Sequence, residues 1–171
     1  MKTSWDYNDN LYEEIIYFIK QKGLDPSDPL KLCHFDQIHA GGIKATEQLS
    51  KLIDFYSNGY LLDIGGGIGG VARYLSIKNY HYIVSLDYSW KYSSTGKKLT
   101  DLCKIKNIDF INGNALFLPF KDSCFKHILL QHVNMNIANK YQLFKECRRV
   151  IKKDGYFIFH EWFIKDNSYI N

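Results

Sequence analysis

The chain has 171 residues, the length of a single domain, and its 46% apolar and 16% aromatic content supplies a packed core and argues against disorder. Its net charge of +4 is spread along the sequence rather than gathered on one face, which speaks against nucleic-acid binding. No run approaches the roughly 20 apolar residues of a membrane span, and residues 1–6 (MKTSWD) lack the apolar core of a secretory signal, so a cytoplasmic protein with no membrane partner is expected.

Residues 5–22 place Leu11, Ile15, Phe18 and Ile19 at helical spacing, with Lys20 and Lys22 at the end and Gly23 as the stop. Residues 25–29 (DPSDP) read as a turn or short linker, because two prolines and two acids suit no regular element. The tract 36–42 (DQIHAGG) is loop-like, and a second helix follows it with Ile43, Leu49, Leu52, Ile53 and Tyr56 on its apolar side. An N-terminal helical cap and linker over residues 1–35 and a main domain over 36–171 are therefore expected.

From Asn58-Gly59 onward, strands and helices alternate. Strands are predicted at 60–64, 81–87, 108–112 and 125–131, and helices at 71–77 and 91–106. A helix over 138–151 ends at KKDG (152–155), and a last strand covers 156–163. The basic group Arg148, Arg149, Lys152 and Lys153, flanked by Glu146 and Asp154, reads as a solvated helix end. Such alternation defines an α/β fold: a doubly wound, mostly parallel, Rossmann-like sheet of five strands, with its ligand crevice at their carboxyl ends. Cys33, Cys103, Cys124 and Cys147 stand apart with no C-x-x-C pair, so buried reduced thiols are expected and no metal site.

The most informative stretch is LLDIGGGIGG, residues 61–70. Glycines between a strand and a helix let the backbone turn tightly and approach a ligand. Gly65, Gly67 and Gly70 satisfy the G-x-G-x-x-G of a dinucleotide site, Gly65, Gly67 and Gly69 satisfy G-x-G-x-G, and a turn that binds nothing is the third possibility. Asp63 discriminates among them. A carboxylate at the strand end would repel a pyrophosphate seated on the helix N-terminus and would welcome a cation. S-adenosylmethionine carries an α-ammonium and a sulfonium and no phosphate. Asp87 ends the next strand 17 residues after Gly70 and can accept from both ribose hydroxyls, or it is an ordinary strand-end acid. Asn114, in NGNALFLPF after the third strand, either accepts from an adenine amino group or forms the turn.

Together these residues resemble the class I S-adenosylmethionine-dependent methyltransferases, specifically the type 11 methyltransferase domain. The resemblance is carried by LLDIGGGIGG, Asp87, NGNALFLPF and KECRRVIKKDGYFIF, and runs over residues 36–162. QHVNMNI (131–137) and DQIHAGG are similar to a small-molecule subgroup near the ubiquinone/menaquinone C-methyltransferases and the phosphoethanolamine, glycine and sarcosine N-methyltransferases. The resemblance implies S-adenosyl-L-methionine as cofactor, held by Asp63, Gly65, Gly67, Gly69, Asp87, Tyr88, Asn114, Ala115 and Gln131. Three departures stand out. Asn114 replaces the usual Asp, Lys126 stands where Asp is common, and Lys153-Asp154-Gly155 lies where a Pro-Gly pair is usual. Family members also continue past the fifth strand with a helix and two strands, whereas residues 164–171 are all that follow here. Truncation is the expectation, with a split enzyme or a minimal protein as alternatives. A partner chain or a second copy would then cover the open sheet edge.

Methyl transfer from a sulfonium is an in-line displacement that needs orientation, desolvation and a base where the nucleophile carries a proton. His132, after the fourth strand, is the first base candidate and His39 the second, each with a pocket-shaping role as the alternative. Trp5, Tyr7 and Tyr12 form a lid over an amine or pack. Residues 131–134 hold neither a [DNS]-P-P-[YFW] motif nor a nucleophilic cysteine, Cys124 preceding the strand, so a flipped base or a pyrimidine carbon is disfavoured. A small-molecule N, O or C nucleophile remains as acceptor. An NAD-linked oxidoreductase and a non-catalytic remnant or partner subunit are the competing readings.

Overall fold

The structure is a computed structural model describing residues 10–53, 59–78, 80 and 82–161. Its apolar runs form β1 (Tyr60–Ile64), β2 (Tyr82–Asp87), β3 (Ile108–Asn112), β4 (Phe125–Gln131) and β5 (Ile151–His160). All neighbours pair in parallel, in the order β3-β2-β1-β4-β5. The order reverses between β1 and β4, and the crevice of a doubly wound sheet opens at that switch point. The connecting helices are α1 (Leu11–Gln21), α2 (Pro29–Leu32), α3 (Gly42–Ser50), α4 (Gly70–Ile77), α5 (Trp90–Leu102) and α6 (Lys140–Val150).

Alternation along the strands sorts the core into two layers. Leu61, Ile83 and Leu129 pack with Leu49, Val71 and Leu75 of α3 and α4. Leu62, Ile64, Ile128 and Leu130 face the opposite way, onto Leu143, Cys147 and Val150 of α6. Most of these leucines and isoleucines are wholly buried, each contributing about 1.5–3 kcal/mol against exposure. Asp63 shares the parity of Leu61 and therefore points to the α4 side, into the glycine turn. A third cluster joins Ile19 of α1 and Leu32 of α2 to Ile68 and Leu99, so the N-terminal helices share a core with the glycine loop and α5.

Several boundaries differ from the sequence reading. Asp28-Pro29 opens α2 instead of a linker: Asp28 Oδ1 accepts the Leu30 N–H at 2.9 Å, and Pro29 takes the first helical position, where a missing N–H costs nothing. Helix α3 stops at Ser50, leaving Leu52 exposed, and Tyr56 lies outside the described residues, as do Trp5 and Tyr7. Helix α5 ends at Leu102 and not at 106, because Lys104 takes φ +57° and its N–H closes on Asp101. The KKDG tract is no helix stop: α6 runs straight into β5, and the extra residues bulge the strand between its pairings with Phe125 and His127. Two departures from the family pattern meet at that bulge, where Lys126 Nζ pairs with Asp154 Oδ2 at 2.8 Å. Arg149 is not a solvated helix end. It donates to Glu146, Asp122 and the Phe120 and Leu118 carbonyls, tying the loop between β3 and β4 to α6.

Candidate functional site

At the end of β1 the chain must turn back under α4 within five residues. Gly65 makes the first bend at φ +71°, and a Cβ there would lie 2.1 Å from Val133 Cγ2. Only glycine lets the loop after β4 close onto this turn. Gly69 caps α4 at φ +78°, and a Cβ there would strike the Phe110 ring at 2.5 Å. The turn is fastened to β2 by Asp87, whose Oδ2 accepts the Gly67 N–H at 2.9 Å and whose Oδ1 accepts the Ser89 N–H at 2.8 Å.

Around this turn lies a cavity of about 800 Å³, mostly apolar in its walls. Of the sequence-predicted residues, Gly65, Gly67, Asp87, Tyr88, Asn114, Ala115, Gln131 and His132 line it. A smaller cavity of about 50 Å³ sits behind the turn and is bounded by Asp63, His39, Gly65, Gly67 and Gln131. Ile38, Gly65, Gly67 and Gln131 border both, so the small cavity adjoins the large chamber as an annex on the other side of these residues. Gly69 lines neither, and its constraint is the packing against Phe110. Asn114 Oδ1 accepts the Leu116 N–H at 2.9 Å, so Asn114 forms the turn while also facing the cavity.

The annex is electrostatically unusual. Asp63 is 2% exposed, and its Oδ2 has no hydrogen-bond partner. Burial first, and then the Asp87 carboxylate, push its carboxyl up from 3.8 to about 7. Beside it, Gln131 Nε2 approaches His39 Nδ1 at 3.1 Å and His160 Nδ1 at 3.4 Å. His39 Nε2 lies 3.1 Å from Thr46 Oγ1, whose hydroxyl donates to Gln37 Oε1 at 2.7 Å, and its Nδ1 lies 3.2 Å from the Ala40 carbonyl oxygen. Burial lowers both His39 and His132 below the ordinary histidine range. Their rings stack 6.1 Å apart. Among the described residues no cluster of His, Cys, Asp and Glu could hold a metal ion.

The loop carrying His39 is anchored by an ion pair that the sequence reading missed. Arg73 and Asp36 are wholly buried and meet at 2.8 Å. Arg73 also donates to the carbonyls of Ile68 and Gly96 and to Thr100 Oγ1. A lone arginine in the apolar helix α4 was the available signal. Ile38, Ser89, Tyr92 and Val133 also line the cavity and were likewise not named as site residues.

Residues 62–159 match the methyltransferase domain family, and the chain belongs to that family. The demethylmenaquinone methyltransferase of Bacillus cereus (strain B4264) is 26% identical over 145 residues, which are 84% of this chain and 60% of that protein. The chain thus spans about 60% of the length of the curated relatives it matches. A SAM-dependent methyltransferase from Aquifex aeolicus superposes with a TM-score of 0.65 at 19% identity, over 81% of this chain and 73% of that one. The cyclase SpnF does so with a TM-score of 0.64 at 20% identity, over 68% of this chain and 43% of its own. The same fold therefore serves more than one chemistry, and function has to be argued from the site.

Proposed function

We propose that the protein is an S-adenosylmethionine-dependent methyltransferase acting on a small-molecule N, O or C nucleophile. The carrying observation is Asp63: a buried carboxylate with an unpartnered oxygen, beside an annex large enough for an ammonium group and at the foot of a chamber large enough for a nucleoside. That donor set fits the cofactor and disfavours a dinucleotide, whose pyrophosphate would face the carboxylate from the N-terminus of α4.

When bound, S-adenosylmethionine supplies a methyl group on a positively charged sulfur. Asp63 would accept from the α-ammonium. Asp87 retains acceptor capacity for ribose hydroxyls beyond the two backbone N–H groups it already holds, because a carboxylate offers about four lone-pair sites. Gly65 and Gly67 leave the backbone bare where the cofactor approaches. The apolar walls exclude water from the transfer, and His132 takes the proton of the acceptor's nucleophile, with His39 stacked behind it.

This reading carries a cytoplasmic setting, in keeping with four free thiols, and no nucleic-acid or membrane partner. No helix among the described residues is long and apolar enough to cross a membrane. Among the described residues β5 forms one edge of the sheet with Tyr156 and Phe159 exposed, and a partner chain or a second copy is its proposed cover.

Calorimetric titration of the purified chain with S-adenosylmethionine and S-adenosylhomocysteine, with NADH as control, tests the reading. Micromolar binding of the first two is expected, and Asp87→Ala should weaken it more than tenfold. NADH binding more tightly than S-adenosylhomocysteine would overturn the reading, and unchanged affinity in Asp87→Ala would remove Asp87 from the site.

A further inference from the structure

Strand β4 ends at Gln131, and the chain turns sharply at His132, whose φ of +54° puts a side chain with a Cβ in the left-handed region. Strain of this kind persists only where surrounding contacts over-determine it. Here the contacts come from two consecutive residues at the end of β5. The His132 N–H donates to the His160 carbonyl at 2.9 Å. The next residue, Glu161, accepts the N–H of Val133 at 2.8 Å and of Asn134 at 2.7 Å on one oxygen. The His160 ring meets the His132 ring at a steep angle, with centroids 4.7 Å apart. Gln131 fixes the His160 ring in turn through its Nδ1.

We propose that His160 and Glu161 are positioning residues for His132: together they hold its imidazole at the wall of the large cavity, where it takes the proton of the methyl acceptor. The assignment rests on the methyl-transfer reading for the identity of that proton. The architecture that presents the ring does not depend on it.

The two residues act on the ring with opposite sign. After burial, which is the largest effect, His160 pushes His132 further below the ordinary histidine range and Glu161 pulls it back up. The other charged or titratable groups facing this corner are His39, stacked on the ring from the loop before α3, and Asp87 across the cavity. From α6, Lys140 donates to the carbonyls of Asn134 and Ile137.

The test is an NMR titration of the imidazole Cε1–H signals in the full chain, for the unaltered protein, His160→Gln and Glu161→Gln, with and without S-adenosylhomocysteine. His160→Gln should move the His132 midpoint upward and Glu161→Gln should move it downward. A turn that merely unravels would expose the ring and send both variants up toward the free-histidine value of about 6.5. Shifts in the same direction, or no shift, would overturn the proposal. A check that needs no variant is amide hydrogen exchange in the unaltered protein: the Val133 and Asn134 amides, both held by Glu161, should be protected together, and unprotected exchange at both would also overturn it. Failure of the chain to bind S-adenosylmethionine would sink the function proposed above while leaving this titration result standing.

Discussion

Cofactor affinity should depend on pH through Asp63. Burial and the Asp87 carboxylate push its carboxyl to about 7, so near neutrality it is only partly ionised, whereas an ammonium is held by the ionised form. Below pH 7 each unit of acidification should therefore weaken S-adenosylhomocysteine binding about tenfold, reaching about 100-fold at pH 5. Binding should release close to one proton at pH 5, falling toward none above pH 7. The stability linkage has the opposite sense. The folded carboxyl keeps its proton to about 7 and the unfolded one to 3.8, so the stability tied to this group is full below pH 3.8 and is lost as pH rises through 7. The loss is on the order of 4 kcal/mol at 1.36 kcal/mol per pKa unit. Calorimetry from pH 5 to 7.5, in two buffers of different ionisation enthalpy, reads affinity and proton release together. Asp63→Asn should bind weakly and without pH dependence. Affinity constant from pH 5 to 7.5 in the unaltered protein, or proton uptake on binding, would refute the reasoning.

Two further perturbations follow from the geometry. Arg73→Met leaves the Asp36 carboxylate buried with, among the described residues, the Gln37 amide as its remaining side-chain partner, and should cost about 3–5 kcal/mol in urea unfolding; a loss below about 1 kcal/mol would mean that the pair does not anchor the loop. Gly65→Ala forces a Cβ into Val133 at a positive φ and should cost about 1–3 kcal/mol while weakening S-adenosylhomocysteine binding at least tenfold. Unchanged affinity in a folded Gly65→Ala protein would take this turn out of the cofactor site.

The strands β1 to β4 were legible because each is a short run of apolar and β-forming residues, and β1 to β3 are ended by Gly, Asp or Asn, a pattern that depends on neighbouring residues alone. The same holds for the glycine turn and for Asp87, which closes β2 where the crevice must lie. What escaped depends on partners distant in sequence. KKDG looks like a helix stop, yet Gly155 is there because a Cβ would strike the Lys126 carbonyl at 2.7 Å across the β4–β5 bulge. Arg149 looks solvated until the loop 28 residues before Glu146 closes onto it. Asp28-Pro29 looks like a linker, since an N-cap followed by proline has the same composition as a turn. His160 and Glu161 carry no local pattern at all, and only the pairing of β5 with β4 brings them to His132.

The Arg73 knot also constrains the order in which the protein can assemble. Its guanidinium joins Asp36, 37 residues away, to Gly96 and Thr100 of α5, 23 and 27 residues away, so two separate loop closures precede its satisfaction. The parallel sheet is likewise built from non-local pairings, which form slowly. The loop bearing His39 is thus anchored through a residue of α4 that is itself held by α5, so a complete crevice requires contacts that only the assembled sheet and helices bring together. A ligand that recognises the finished crevice then has nothing to grip on the way there. It would slow the loss of the native state and leave the rate of reaching it unchanged.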